Sequence, residues 1–273
     1  MNWIVKPLYF GKIMCPKEVA TPGIDVGLQV GGIPYLGFLL KSEKQTILVD
    51  AGISEKFIIN GRAWGGFEAE GGRSFVKKAL EEENVRIGDI DIVIYTHLHN
   101  DHTGACDLLR DVPKHIVQLD EWLQLLDPIP AAFIRRDYDQ SVIPELQKAN
   151  LLKIDGDVEV AEGVWVYKAP GHTSGSQIVA VKTAKGTVVL CGDNVLIYCN
   201  IFPWMDELTG LDGKKYKITP APEIYKKGIP PGILYDYYSW YKTLDKIRAL
   251  ASKNSPEFII PAHEPSIVGK TFG

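Results

Sequence analysis

A short stretch of the sequence, residues 96–104 (THLHNDHTG), concentrates side chains that can bind metal ions. It contains three histidines and one aspartate, namely His97, His99, Asp101 and His102. Imidazole and carboxylate groups suit zinc, iron, manganese and cobalt. Because alternate residues of an extended segment point the same way, His97 and His99 can share one ion. Asp101 and His102 follow a turn and can aim at a second point, so the spacing predicts two adjacent ions.

Further candidate ligands follow other strand-like runs of the chain. His172 lies in the turn Pro-Gly-His-Thr-Ser-Gly, and His263 lies in Pro-Ala-His-Glu-Pro after an apolar run. Asp193 likewise follows an apolar run, in Cys-Gly-Asp-Asn. Of the six histidines, only His115 lacks a motif of this kind. Loops at strand ends are where a rigid scaffold presents reactive groups, so this pattern indicates a metal site rather than scattered surface residues.

The ordered set His-x-His-x-Asp-His, Gly-His-Thr, Gly-Asp and Ala-His resembles the metallo-β-lactamase superfamily of metal-dependent hydrolases. The similarity runs from Asp50, in Leu-Val-Asp-Ala-Gly, to His263. The resemblance implies an α/β protein folded as a four-layer αβ/βα sandwich, with two mixed sheets face to face and helices outside. It also implies that Asp50 supports the metal site from behind its ligands. A turn or N-cap role for this aspartate is the alternative, and the two roles are compatible.

The resemblance further implies which side chain binds which ion. The first ion is assigned to His97, His99 and His172, and the second to Asp101, His102 and His263, with Asp193 bridging both. Two divalent ions of this kind can share a hydroxide that attacks a carbonyl carbon. Zinc is the expected metal, with iron, manganese or cobalt as alternatives. Asp101 is counted as a catalytic residue as well as a ligand.

Within the superfamily, the chain looks most like the N-acyl homoserine lactonases, which open a lactone ring. The similarity lies in overall length, the N-terminal strands and Gly-Asp-Asn-Val followed by an aromatic-rich stretch. Those lactonases carry a tyrosine three residues after the bridging aspartate, where this chain has Leu196. The nearest tyrosine is Tyr198, and we hypothesise that its hydroxyl assists catalysis. The alternative is that Tyr198 packs away from the site.

Other functions stay open at this stage. A thioester hydrolase of glyoxalase II type would use basic residues late in the chain, and Lys214, Lys215 and Lys217 are candidates. A sulfur dioxygenase would hold a single iron in the same ligands, and an inactive metal sensor would keep the fold without hydrolysis. The bridging aspartate argues against a true β-lactamase. Metal analysis and a panel of lactones, thioesters and phosphodiesters would separate these functions.

Composition narrows the partners and the location. The net charge of −4 gives no electrostatic reason to expect a nucleic acid. No segment is apolar for long enough to span a membrane, and the N-terminus MNWIVKPLYFGK lacks the basic region of a signal peptide. The four cysteines contain no C-x-x-C pair and predict reduced thiols in a cytoplasmic protein. The expected partner is a small molecule with an apolar part, and a homodimer is an open alternative.

The hydrophobic pattern predicts mixed α and β structure, and we expect one domain over residues 1–273. The long Gly- and aromatic-rich segment 53–71 is expected to be functional. Two excursions, 128–150 and 198–238, are expected to cap the site. The second is rich in aromatic residues and is expected to contribute at least one wall of an apolar pocket, with a packed surface subdomain as the alternative.

Three local elements are predicted from shorter patterns. Residues 26–30 read as a strand, and residues 103–109 as a helix behind the metal motif. A further helix is predicted over residues 239–251, with Ser239 as its N-cap.

Overall fold

The computed structural model of the protein describes residues 2–273. In that part of the chain there are fourteen strands and six α-helices. The strands are β1 (Ile4–Ile13), β2 (Ile33–Lys41), β3 (Thr46–Val49), β4 (Ala69–Gly71), β5 (Ile92–Ile94), β6 (Lys114–Gln118), β7 (Leu151–Ile154), β8 (Val158–Ala161), β9 (Val164–Lys168), β10 (Gln177–Thr183), β11 (Gly186–Leu190), β12 (Glu207–Thr209), β13 (Lys215–Lys217) and β14 (Ile259–Ile260). The helices are α1 (Arg73–Glu82), α2 (Leu119–Leu126), α3 (Pro130–Arg135), α4 (Ile143–Lys148), α5 (Tyr198–Ile201) and α6 (Tyr237–Leu250). No helix in residues 2–273 is long and apolar enough to cross a membrane.

The strands form two large mixed sheets and a small ribbon. Seven strands make the first sheet, in the order β4-β1-β2-β3-β5-β6-β7, and five make the second, in the order β14-β11-β10-β9-β8. The first sheet is antiparallel from β4 to β3 and parallel from β3 to β7. The second is antiparallel except where β14 joins β11 in parallel. The ribbon pairs β12 with β13.

Side-chain alternation along the central strands separates two hydrophobic cores. Successive residues of a strand point to opposite faces of the sheet. In β2, Leu36, Phe38 and Leu40 therefore enter the core shared with the second sheet. Tyr35 and Leu39 enter the core on the opposite face.

Helices cover the outer face of each sheet. Leu80 of α1 and Leu125 of α2 share a core with Leu48 of β3 on the outer face of the first sheet. Trp240 and Leu244 of α6 pack into the core that contains the second sheet. The layers thus run helix, sheet, sheet, helix, and the αβ/βα sandwich predicted from the resemblance is confirmed.

Two of the predicted local elements are wrong, and each has a backbone cause. Residues 26–30 form no strand, because Asp25 and Gly27 have φ values of 54° and 76°, which interrupt an extended chain. Residues 103–109 form consecutive turns instead of a helix. There the N–H groups of Cys106, Leu108 and Leu109 donate to carbonyls three residues back, which is the bonding of turns and not of an α-helix.

The final helix begins two residues earlier than predicted, at Tyr237. Asp236 is its N-cap, because its Oδ1 accepts hydrogen bonds from the backbone N–H groups of Tyr238 at 2.9 Å and Ser239 at 3.1 Å. Ser239 thus lies inside the first turn and does not cap the helix.

The Asp236→Ala variant should lower the free energy of unfolding by about 1 kcal/mol, because two N–H groups lose their acceptor. Ser239→Ala is the matched control and should cost clearly less. Chemical denaturation of the two variants and the parent measures both changes, and equal losses would contradict the capping role of Asp236.

Candidate metal centre

The predicted ligands come together where strands of both sheets end. His97 and His99 follow β5, Asp193 follows β11 and His263 follows β14, while His172 lies in the loop after β9. The ligand atoms form two neighbouring groups, each with atoms within 4.8 Å of one another. The groups are His97, His99 and His172, and Asp101, His102, Asp193 and His263.

The carboxylate of Asp193 lies between the two groups. Its Oδ2 is 3.5 Å from Nε2 of His172 and 3.8 Å from Nε2 of His97. Its Oδ1 is 3.0 Å from Nε2 of His263 and 3.2 Å from Nε2 of His102. One carboxylate oxygen thus faces each group, as a bridging ligand requires.

The chemistry of the cluster fits divalent metal ions. Nε2 of His97 is buried and has no hydrogen-bond partner within residues 2–273, and such orphaned polar atoms are costly in a protein interior. Nδ1 of His99 lies only 3.1 Å from Nε2 of His172. Burial lowers the pKa of His99 to about 3 and that of His172 to about 4, so both rings are neutral and have a lone pair to offer. Neutral imidazoles and carboxylates together suit zinc and its neighbours.

Asp50 contacts one imidazole directly and a second through Thr96. Its Oδ2 lies 2.9 Å from Nδ1 of His102. It also accepts hydrogen bonds from the backbone N–H of Thr96 at 2.7 Å and from the Thr96 hydroxyl at 2.8 Å. The Thr96 hydroxyl oxygen in turn lies 3.2 Å from Nδ1 of His97. Asp50 thus lies next to the predicted ligands, where the resemblance puts it, and its φ of 62° shows that it also forms the turn.

Backbone carbonyls orient two more rings. Nδ1 of His172 lies 2.9 Å from the carbonyl oxygen of Ile233, and Nδ1 of His263 lies 2.8 Å from that of Pro34. A carbonyl can only accept, so each Nδ1 carries a proton and each Nε2 faces the cluster. The side-chain oxygen of Asn194 fixes the His172 turn further by accepting its backbone N–H at 3.1 Å.

Glu121 is a buried residue of α2 that sequence reasoning missed. Its Oε1 accepts hydrogen bonds from the backbone N–H of Leu98 at 2.9 Å and the hydroxyl of Tyr138 at 3.0 Å, and its Oε2 accepts one from Thr173. It thereby ties the His97–His102 loop to the His172 turn. In the sequence Glu121 resembles any acidic residue of an amphipathic helix, and no local signal distinguishes it.

A cavity of about 620 Å³ opens onto the cluster and reaches Asp101, Asp193 and His263. Much of its wall is apolar and comes from the 53–71 segment and the end of β1, including Ile13, Cys15, Ile53, Phe57, Ile59, Ala63 and Trp64. Residues 134–137 of the first predicted excursion also line it. Within residues 198–238, the described lining residue is Ile233. The 198–238 segment thus contributes to the wall through Ile233, and its aromatic side chains are not among the lining residues.

Tyr198 does not reach the cluster. Its hydroxyl donates a hydrogen bond to the carbonyl of Pro256 at 2.7 Å, and its ring packs beside Phe202 in the core shared by the two sheets. Leu196 lines the cavity instead. We therefore replace the catalytic role hypothesised for Tyr198 with a packing role.

The late lysines also lie away from the cavity. Lys214 pairs with Asp212 at 3.2 Å, and Lys215 pairs with Glu207 at 2.8 Å. Both lysine side chains are exposed, and neither is among the residues that line the cavity. Their position counts against the substrate-binding role that a glyoxalase II type enzyme would give them.

Residues 31–263 match the family model described as "Metallo-beta-lactamase superfamily". The chain belongs to this superfamily.

It is 32% identical over 199 residues to an N-acyl homoserine lactonase of Bacillus cereus, covering 68% of this chain and 74% of that one. N-acyl homoserine lactonase AttM of Azorhizobium caulinodans is 25% identical over 253 residues, covering 85% of this chain and 82% of the relative. A solved mutant of Bacillus thuringiensis AiiA with N-decanoyl-L-homoserine at its active site shares the fold, with a TM-score of 0.71 and 23% identity over 96% of this chain and 94% of that one.

Asp50→Asn should weaken binding of the metal at His102 by about 10–100-fold, the usual effect of losing a carboxylate behind a ligand. Asparagine tolerates the positive φ of this position, so the backbone should persist. Asp91→Asn is the matched control, because the Asp91 carboxylate accepts the Thr46 N–H at 2.8 Å outside the cluster. Competition with a chelator measures the affinity, and an unchanged value in Asp50→Asn would refute the supporting role.

Tyr198→Phe should destabilise the fold by about 1 kcal/mol through the lost hydrogen bond to Pro256. Hydrolysis should stay close to that of the parent, in contrast to the roughly 10²–10³-fold loss caused by removing an oxyanion donor. Steady-state kinetics and thermal unfolding on the same preparation test this, and a large fall in kcat would return Tyr198 to the site.

Proposed function

We propose that the protein is a two-metal hydrolase that opens the ring of N-acyl homoserine lactones. The observation that carries the proposal is the Asp193 carboxylate, which faces two groups of ligands at the base of a largely apolar cavity. The relatives named N-acyl homoserine lactonase support the substrate class.

We assign the metal ligands as the sequence predicts. His97, His99 and His172 would hold one ion, Asp101, His102 and His263 the other, and Asp193 both. Two divalent ions in such a site activate water at neutral pH and polarise a carbonyl oxygen. We expect zinc, because three histidines with a carboxylate are typical zinc donors.

The cavity wall supplies substrate binding. Side chains such as Phe57, Ile59 and Trp64 offer apolar surface against which an acyl chain can lose its contact with water. The polar lactone end would then lie near Asp101 and Asp193, which also line the cavity. In this orientation the apolar acyl chain contacts the apolar wall, and the polar lactone ring faces the cluster.

The reaction is a hydrolysis with no change of oxidation state. Water forms a bond to the carbonyl carbon, the bond from that carbon to the ring oxygen breaks, and the products are a carboxylate and a free hydroxyl. We propose that the Asp101 carboxylate, which lines the cavity 3.8 Å from Nε2 of His263, accepts a proton from the water. The same carboxyl can return this proton to the departing ring oxygen.

His97→Ala and Asp193→Ala should each lose bound metal and nearly all lactone hydrolysis, because the cluster loses a donor. His115→Gln is the matched control, since His115 is buried and hydrogen-bonded to Tyr95 and Leu109 outside both groups. It should lower stability and keep the metal content. Elemental analysis and hydrolysis of a short and a long acyl homoserine lactone measure these effects.

Substrate breadth decides between the proposal and its alternatives. Two zinc-like equivalents with turnover of lactones would support it. Turnover of thioesters without lactones would favour a glyoxalase II type enzyme, and one iron with oxygen consumption would favour a sulfur dioxygenase. Full activity of Asp193→Ala would refute the bridging role.

Location and assembly stay predictions. The four cysteines are free and buried, which supports the predicted cytoplasmic location in a reducing compartment. Size-exclusion chromatography with light scattering would test the open alternative of a homodimer.

A further inference from the structure

Tyr35 is a buried phenol in the wall of the cavity with an uncommitted hydroxyl. It lies in β2, has only 4% of its surface exposed and lines the cavity. Within residues 2–273, no side chain or backbone group forms a hydrogen bond with its hydroxyl. A buried phenol normally finds a partner, so the hydroxyl of Tyr35 is free to bind a molecule in the cavity.

The strand places Tyr35 beside the second ligand group. The carbonyl of its neighbour Pro34 accepts a hydrogen bond from Nδ1–H of His263 at 2.8 Å. The Tyr35 ring meets the His263 ring edge to face, with 6.3 Å between centroids and 78° between planes. The backbone that orients this histidine thus also fixes the phenol next to it.

Three other polar side chains of the cavity wall already have partners. Arg62 donates to the Gly66 carbonyl at 2.8 Å, Arg135 pairs with Asp137 at 2.7 Å, and Asn100 Nδ2 donates to the Arg136 carbonyl at 2.9 Å. Leu196, near the bridging aspartate, has no polar group to offer. Tyr35 is therefore an uncharged side-chain donor beside the second ligand group whose hydrogen-bonding capacity remains available to a substrate.

We propose that the Tyr35 hydroxyl donates a hydrogen bond to the substrate oxygen that gains negative charge as the lactone ring opens, an inference that rests on the proposed function. This oxygen is the carbonyl oxygen while water adds to the carbon, or the ring oxygen when its bond to that carbon breaks and it departs with the electron pair. The proton given up by the water completes the new hydroxyl group. Tyr35 keeps its own proton throughout and stabilises the developing charge.

The test compares Tyr35→Phe with Tyr9→Phe in the metal-loaded protein. Tyr9 lies on the adjacent strand opposite Leu36, and its hydroxyl bonds to Glu70 at 3.0 Å, away from the cavity. Tyr35→Phe should lower kcat on an acyl homoserine lactone by at least tenfold, since removing one such donor typically costs about 10²–10³-fold. Its metal content and Tm should match the parent because the hydroxyl has no protein partner. Tyr9→Phe should keep the parent kcat.

Two further measurements make the outcome decisive. A loss in Tyr35→Phe that shrinks for the corresponding thiolactone, with its better leaving group, would place the bond on the ring oxygen, and an equal loss would place it on the carbonyl oxygen. A kcat within tenfold of the parent, or a loss accompanied by lower Tm or lost metal, would overturn the proposal. If the parent hydrolyses no lactone, the proposed function fails, and Tyr35 is judged by the same tenfold criterion on the ester or thioester that the parent does hydrolyse.

Discussion

The site depends on one buried carboxylate that serves two groups of imidazoles. Burial alone would raise the pKa of Asp193, yet the facing His263 and His102 hold that pKa well below its usual range. A charged group removed from water is tolerated only with close partners. Its partners come from loops that follow β5, β9 and β14, so strand ends of both sheets must meet at one point. The face-to-face packing of the sheets is the arrangement that meets this requirement.

A second set of contacts, made by the protein alone, orients the histidines of the cluster. Asp50 aligns His102, while the carbonyls of Ile233 and Pro34 align His172 and His263. Each support is distant in sequence from the histidine that it orients, and two of the three are backbone groups with no side-chain freedom to lose. The folded protein therefore pays most of the entropic cost of ordering the ligands during folding, which leaves metal binding more favourable.

Features with a local signature could be predicted from the sequence, whereas those set by tertiary contacts could not. The histidine motif and the β-branched runs before it identify ligands and strands, because both depend on neighbouring residues. Glu121 and Tyr35 gain their meaning only from burial and sheet register, which no short pattern encodes. Tyr198 illustrates the opposite case. It is close to Asp193 in sequence, yet its hydroxyl does not reach the site. At residues 103–109, the N–H groups of Gly104 and Ala105 bond to the carbonyls of Gly52 and Ala51, and such contacts with a segment distant in sequence leave no local pattern.

The alternation along β2 has a consequence for how proteins of this architecture can diverge. Ile33 and Tyr35 line the cavity, while Leu36, Phe38 and Leu40 point into the core between the sheets. Substrate preference and scaffold integrity are thus encoded by different residues of one strand. Exchanges at 33 and 35 can reshape the chamber while the interior between the sheets stays intact. A single-residue insertion in β2 would turn the cavity-facing residues towards the core and the core residues towards the cavity. Evolution along this strand should therefore proceed by substitution and not by insertion or deletion.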